Sequence, residues 1–392
     1  MSTAIRRHLT DLACRALQAT LPPSLQSWGW AIRCEAASIP DDGKALLFAL
    51  DGLCGLVPRA IALRLRQRFA RSADSRAPRP EGTITVTIRD TLMHRPRALG
   101  VACAIGAVLL GLVYMALAGA PTRYFGMNVG ALALGLMVLA GFGRALAPGQ
   151  GRWDGAIVAM AGALLATALF GPDIDGVSRW VSVAGLSIQP SLILLPVMIV
   201  AFAHSRSAMS TRGLVVAAAA MALQPDRAMA GMLVLGLLPL VLTGRDRHGM
   251  VAFAASVIGL AATLARPDPM PAVPYVDRIY YSAFDVHVGA GLAVWIGSAL
   301  LLVPALTGWH RDTEHRATYA AFGASWAAAI LAAALGNHPT PLVGYGGSAI
   351  IGYALALLAL PRVAGDPASG DARIRDDGDT ALHDRHLRVG LA

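Results

Sequence analysis

Between residues 98 and 362 the chain is a succession of apolar runs, several close to the ~20 residues that a helix needs to cross a hydrocarbon core. Ten such runs fall near 98–119, 125–145, 155–171, 186–204, 212–224, 227–243, 248–265, 287–308, 317–336 and 342–361. A backbone in hydrocarbon must satisfy its own polar groups, so runs this long and apolar read as helices. A membrane β-barrel would show short alternating segments, and these runs do not alternate. Charged residues make up 15% of the chain, against about 25% in a soluble globular protein. The fold class expected is therefore an all-α polytopic membrane protein of ten transmembrane helices.

The loops set the orientation. One series carries paired arginines: Arg144 and Arg152, Arg206 and Arg212, Arg245 and Arg247, Arg311 and Arg316, then Arg362. The alternate loops carry Arg123, Arg179, Arg227 and Arg278. The positive-inside rule places the first series and both termini in the cytoplasm. Residues 1–97 then form a basic region on the cytoplasmic membrane surface, 98–362 the membrane domain, and 363–392 a polar, disordered cytoplasmic tail. Within the first region, Ala45–Val57 is apolar but short and contains Asp51, as an interfacial or packed helix would be. Ile61–Phe69 continues it with arginines at helical spacing, Arg76–Glu81 is a Pro-rich linker, and Thr83–Ile88 reads as a strand or an extended connection. No apolar h-region follows Arg6 and Arg7, so the first span itself acts as the insertion signal.

The net charge of +9 comes almost wholly from arginine, Lys44 being the lone lysine. With no nucleic-acid-binding motif beside it, that charge is read as contact with anionic membrane lipid. The cysteines Cys14, Cys34, Cys54 and Cys103 form no CxxC pair. Neither a disulfide nor a zinc site is expected, and no cofactor is indicated. A divalent cation would find no ligand cluster in the sequence.

Four outward loops hold unusual chemistry: Gly171–Ser191 (GPDIDGVSRWVSVAGLSIQPS), Leu223–Asp226 (LQPD), Arg266–Val288, and Asn337–Ser348 (NHPTPLVGYGGS). Together they resemble the SEDS family, the FtsW/RodA/SpoVE group of cell-wall glycosyltransferases. That family has ten spans and cytoplasmic termini. It carries an N-G-x-x-R-W…Q-P-S/A-E block after its third span, matched here by Asp175-Gly176-Val177-Ser178-Arg179-Trp180…Gln189-Pro190-Ser191. Its Q-P-D-L-G-T block after the fifth span survives as Gln224-Pro225-Asp226. Its P-x-I-S-Y-G-G-S block before the tenth span is Pro341-Leu342-Val343-Gly344-Tyr345-Gly346-Gly347-Ser348. All three fall in order and between the corresponding spans.

The sequence also departs from the family. A Glu following Q-P-S/A and a Lys three residues later are here Leu192 and Leu195. Loss of both leaves no unpaired buried charge, which keeps the fold tolerable. L-G-T after Q-P-D is replaced by Arg227-Ala228-Met229, and the large loop between spans seven and eight is cut to about twenty residues. The family's catalytic aspartate lies in that loop. The nearest match is Val273-Pro274-Tyr275-Val276-Asp277-Arg278-Ile279, and the alternative is Asp285 in Phe284-Asp285-Val286-His287.

The resemblance implies polymerisation of lipid II, or a related polyprenyl-pyrophosphate-linked sugar, at the outer face of the bacterial inner membrane, in cell division or cell-shape maintenance. A single-pass class B penicillin-binding protein would be the partner. A carboxylate would act as general base on the acceptor hydroxyl, and arginine would steady the leaving pyrophosphate. Asp277 is the first candidate for the base, and a solvated loop carboxylate is the alternative reading. Asp285 could instead cap the eighth span. Arg179, Trp180, Arg278, Gln189, Asp226 and Tyr345 are candidates for binding substrate and pyrophosphate. Arg179 and Trp180 could equally be interfacial anchors, and Asp226 a cap of the sixth span. Pro190, Pro225, Gly346 and Gly347 read as structural, the glycines permitting close approach and positive φ. Two other functions compete: a catalytically inactive binder of lipid-linked precursor or of a divisome or elongasome partner, and a lipid flippase.

Overall fold

The computed structural model describes residues 95–361, apart from 146–149, 174–175, 184–185 and 267–269, together with 26–45 and scattered positions between 7 and 52. The expected features at Ile61–Phe69, Arg76–Glu81, Thr83–Ile88 and the tail, as well as Asp175, lie outside the described residues. The chain divides into two units, Met1–Thr85 and Val86–Ala392.

In the first unit the helix α1 (Gln26–Ser38) buries Gly29 and Ala36 and exposes Trp28 and Trp30. Cys14, Ala36 and Ala49 form its small core, with Phe48 packed alongside. Arg33 bonds to Asp11 (3.2 Å) and Gln18 (3.3 Å).

The second unit is a helix bundle. Its elements are α2 (Pro96–Leu117), α3 (Thr122–Ala145), α4 (Gln150–Phe170), a two-stranded hairpin β1 (Val181–Val183) and β2 (Leu186–Ile188), α5 (Pro190–His204), α6 (Ala208–Leu223), α7 (Arg227–Thr243) and α8 (Arg247–Leu264). There follow α9 (Ile279–Val286), α10 (Val288–Leu300), α11 (Val303–Arg311), α12 (Arg316–Leu335) and α13 (Gly347–Ala356), the last extended by a 3₁₀ turn, Leu357–Ala359. Among the described residues six helical stretches are long and apolar enough to cross a membrane: α2, Thr122–Phe142 of α3, Trp153–Phe170 of α4, α8, the α10–α11 pair, and α12. Such a chain is a multi-pass membrane protein. The other four apolar helices, α5, α6, α7 and α13 with its turn, are shorter.

Helix α5 packs against α4, α7, α12 and α13. Its residues from Leu195 to Phe202 are buried all round, which is why the segment shows no polar face. Leu192 and Leu195 belong to this core, where an unpaired charge would be costly. Close approach is set by small residues, as in membrane bundles generally. A Cβ at Gly352 would lie 2.1 Å from the Leu192 carbonyl oxygen, so α13 lies directly on α5. Val343 is wedged between α2 and α10, since a Cβ at Gly111 would meet its backbone oxygen at 2.5 Å and one at Gly297 its side chain at 2.4 Å.

Three expected spans are reshaped. Residues 186–188 belong to the hairpin, in which Val181 pairs with Ile188 and Val183 with Leu186. Helix α5 begins only at Pro190, because proline has no N–H to give and fixes φ for a first helical turn. Residues 342–346 are a turn, and α13 starts at Gly347. The eighth span is interrupted at Leu301–Leu302, just before Pro304 at the start of α11. The Tyr353 hydroxyl donates to the Leu301 carbonyl freed by this break (3.2 Å).

At the end of the bundle where α13 finishes, Arg97 donates to the carbonyls of Leu358 (2.7 Å) and Leu360 (2.6 Å), and the His204 ring bonds Ala359 O at 2.6 Å. Arg206 pairs with Asp246 (2.6 Å), which also caps α8 by accepting from Gly249 N–H (2.8 Å). The hairpin and the loops 224–226, 270–278 and 336–346 gather at the opposite end, where the candidate site is built.

Candidate functional site at the loop end of the bundle

Three separate loops are bonded to one another here. Asp226 is the hub. It is buried and caps α7, one carboxylate oxygen accepting from Met229 N–H (3.1 Å). Its other oxygen accepts from the Gln189 side-chain amide (3.0 Å) and the Ser191 hydroxyl (3.3 Å). The Gln189 backbone N–H donates to the Ser348 hydroxyl (3.0 Å). Residues 189–191, 224–226 and 344–348 thus form one network. The buried Arg179 belongs to it as well, donating to the carbonyls of Pro225 (2.5 Å) and Gln224 (3.5 Å).

A second set of bonds docks the loop before α9 onto the loop before α13. Thr340 N–H donates to Val276 O (2.9 Å), Tyr345 N–H to Tyr275 O (2.7 Å), and the Asn337 side-chain amide to Met270 O (3.1 Å). Tyr345 stacks on Tyr124 of α3, with centroids 3.8 Å apart, and Tyr275 meets Tyr124 edge-on at 5.9 Å. Asn128, wholly buried in α3, holds the turn from both sides: it donates to Gly344 O (2.9 Å) and accepts from Gly346 N–H (3.2 Å). Tyr275 (φ 63°), Arg278 (φ 59°) and Leu342 (φ 61°) take the left-handed conformation in these loops. That costs each a kcal/mol or so, and it persists because the docking bonds fix the turns around them. The positive φ in the last block therefore falls on Leu342, while Gly344 serves close packing, since a Cβ there would lie 3.1 Å from Thr340 O and Tyr275 O.

Between the two networks lies a cavity of about 420 Å³. Apolar side chains such as Leu192, Met229 and Ala329 line part of it, and Arg179, Trp180, Gln189, Asp277, Tyr345 and Ser348 are among the others. Gly346 and Gly347 complete the wall beside Tyr345. The structure thus brings together seven of the candidate residues named from the sequence, Arg179, Trp180, Gln189, Asp277, Tyr345, Gly346 and Gly347, from loops up to some 170 positions apart.

The remaining candidates are placed differently. Asp226 lies behind the wall, acting on Gln189. Arg278 is exposed at the N-terminus of α9 and does not line the cavity. Asp285 is exposed within α9 and also outside the cavity, and it caps nothing. The cap that was the alternative reading of Asp285 is made by His287, whose ring accepts from Gly289 N–H (2.9 Å). The reason is that α9 is a separate helix, so the turn into α10 begins two residues later than the sequence suggests. Pro190 and Pro225 stand at the starts of α5 and of the turn into α7.

Asp277 is 8% exposed. One of its oxygens accepts from Val273 N–H (2.8 Å), and the other is buried with no hydrogen-bond partner among the described residues. Burial raises its carboxyl above the ordinary value; the Val273 bond and the nearby His338 offset only part of this. Such a shift in a cavity wall is a mark of sites where proton transfer takes place. Two more buried oxygens in the cavity wall lack partners among the described residues, Asn337 Oδ1 and Thr340 Oγ1. Each such atom costs about 1–3 kcal/mol. Asn337, His338 and Thr340 carried no role in the sequence reading, because their importance comes from loop docking that no local pattern announces. No group of His, Cys, Asp and Glu able to hold a metal ion occurs among the described residues.

No family model matches the chain, and no curated protein does so. Among solved structures the chain is similar to the rod shape determining protein RodA of Thermus thermophilus, at 21% identity over 66% of this chain and 93% of that one, with a TM-score of 0.46. It is also similar to a chain in a structure of a peptidoglycan synthase complex that coordinates polymerization and crosslinking, at 20% identity over 66% of this chain and 94% of that one, with a TM-score of 0.47.

Proposed function

We propose that the chain is a divergent SEDS-type glycosyltransferase that extends a glycan from a polyprenyl-pyrophosphate-linked sugar such as lipid II. It would act at the outer face of the bacterial inner membrane, with ten helices crossing, both termini inside and a class B penicillin-binding protein as partner. One observation carries this reading. The three blocks that resemble the family are bonded into one network beside a single cavity, and the buried Asp277, its carboxyl raised by burial, stands in the cavity wall.

In this reading Asp277 takes the proton of the acceptor hydroxyl as that oxygen attacks the anomeric carbon of the donor, and the polyprenyl pyrophosphate leaves with the electrons of the broken C–O bond. Arg179 lines the cavity with its guanidinium already tied to two carbonyls. Its charge faces the leaving group with its geometry fixed beforehand. Asp285 and Arg278, exposed outside the cavity, take no part.

The test is glycan synthesis from lipid II by the purified full-length chain together with a class B penicillin-binding protein. Asp277→Asn is expected to reduce polymer by about 10²–10⁴-fold, as loss of a general base does. Asp285→Asn is expected to leave it unchanged. Equal polymer from wild type and Asp277→Asn would remove Asp277 as base.

A second reading rests on Leu192, which lines the cavity where the family carries Glu. Without that carboxylate the chain would bind the lipid-linked precursor and leave synthesis to its partner. Precursor binding with no polymer under any pairing would favour it.

A further inference from the structure

We infer that His338 is a further catalytic residue, the group through which protons pass between the cavity and the carboxylate of Asp277. The inference rests on the proposed function in one respect, that the cavity holds an acceptor hydroxyl, and it names the side chain that meets that hydroxyl.

The argument starts from access. One oxygen of Asp277 accepts from Val273 N–H, and the other is buried without a partner among the described residues. The unengaged oxygen is thus the one shut away from the cavity, and a carboxylate so placed exchanges protons through a carrier. His338 has the converse properties. It lines the same cavity and is only half-buried, and neither ring nitrogen has a hydrogen-bond partner among the described residues.

Loop docking brings the two residues together. Asn337 is tied to Met270 O (3.1 Å) and Thr340 to Val276 O (2.9 Å). His338 therefore lies between two points at which its loop is bonded to the loop that carries Asp277. Its charge acts on the Asp277 carboxyl, holding it lower than burial alone would. The ring lies over the C-terminal end of α12, where a Cβ on Gly336 would be 3.3 Å from Cδ2 and 3.5 Å from Nε2. The carbonyl end of a helix favours an imidazolium, as a neighbouring carboxylate does. Arg179 in the same lining opposes it.

The other titratable side chains of the lining do not serve. The Arg179 guanidinium keeps its proton, and Tyr345 lies stacked on Tyr124 and carries a phenol, which is no base at neutral pH. An imidazole changes charge between about pH 5 and 8 and can take a proton on one nitrogen while releasing one from the other. The step then balances. The acceptor O–H bond breaks and its proton binds one nitrogen of His338. The oxygen bonds to the anomeric carbon, and the pyrophosphate leaves with the electrons of the broken C–O bond. The other ring nitrogen gives its proton to Asp277, which ends as the acid, and the ring ends neutral.

The experiment has two arms, both on the full-length chain in detergent. The first needs no turnover: diethyl pyrocarbonate, which attacks the neutral imidazole, is added near pH 6 and His338 is followed by peptide mass spectrometry. His338 is expected to react in wild type, and about twofold faster in Asp277→Asn, where the loss of the carboxylate leaves more of the ring neutral. The second arm is polymer synthesis from lipid II with the partner present. His338→Ala is expected to reduce the rate about 10²-fold with precursor affinity unchanged. Imidazole added to the solution should restore part of that loss, and should restore nothing in Asp277→Asn. Thermal unfolding, with His338→Gln alongside as a polar replacement, shows whether the fold is intact. A His338 that does not react, or reacts equally in both chains, would overturn the inference. So would a folded His338→Ala chain whose rate is normal or is not rescued; a normal rate would leave the transferase reading standing. Asp277-dependent reactivity in a chain that makes no polymer would uphold the pair and remove only the transferase reading.

Discussion

At the scale of single residues, Asp277 and Asp226 show how environment divides two carboxylates between chemistry and structure. Asp226 has both oxygens engaged, with three partners in all, whereas one oxygen of Asp277 is left over. Because burial raises Asp277, the fold holds its proton more tightly than the unfolded chain does. Its stabilising contribution is thus present at low pH and is lost as pH rises from the ordinary carboxylate value through the raised one. Asp277→Asn stays neutral throughout. It is expected to melt above wild type at neutral pH, with the gap closing as the pH falls. A constant gap across a melting series in detergent would remove buried ionisation as its cause. In the same way the acid limb of wild-type activity is expected above the ordinary carboxylate value. Asp226→Ala should do the opposite of Asp277→Asn. It removes a helix cap worth about 1 kcal/mol and strands the buried Gln189 and Ser191, at about 1–3 kcal/mol more, so its melting point should fall sharply at neutral pH.

At the scale of elements, the site depends on helices that carry none of its chemistry. Val343 lies in the turn that carries Tyr345 and Gly346, and its backbone lies where a Cβ on Gly111 of α2 would be. Gly111→Ala is expected to cost about 1–3 kcal/mol by overpacking. By shifting that turn it should also lower polymer yield more than its loss of stability accounts for. Gly126→Ala on α3 is the control, since nothing lies within 4 Å of the added Cβ; it should be neutral or slightly stabilising. Much of the framework was legible in the sequence, because apolar runs and prolines mark helices locally. Each of the ten runs contains a helix, and Gln189, Pro190, Asp226, Tyr345 and Gly346 stand where the motif blocks meet. The β hairpin was hidden because Leu186–Ile188 is as apolar as the helix that follows. Asn337 and Thr340 were hidden because what distinguishes them is an unpaired atom created by a loop some 65 residues away.

At the scale of the whole molecule, the order of short and long helices fixes which loops share an end. The hydrogen bonds between loops independently agree: the hairpin, 224–226, 270–278 and 336–346 bond among themselves, while Arg97, His204, Arg206 and Asp246 bond at the other end. Four of the apolar helices, α5, α6, α7 and α13, are shorter than the other six stretches, so the proposed ten crossings depend on these four. A chain in which any one of them failed to cross would put the two sets of loops on the same side. Arginine is paired in the loops at the Arg206 and Arg245 end, which the positive-inside rule assigns to the cytoplasm. Two exposed positions separate the possibilities: Ser182 in the hairpin and Arg245 between α7 and α8. With the four native cysteines replaced, Ser182→Cys is expected to react with a membrane-impermeant maleimide on intact spheroplasts, and Arg245→Cys only after lysis. The reverse pattern would invert the molecule and put the cavity on the cytoplasmic side, away from any extracytoplasmic glycan. Equal labelling of both before lysis would mean that the helices between them do not alternate across the membrane, and the ten-span reading would fall with it.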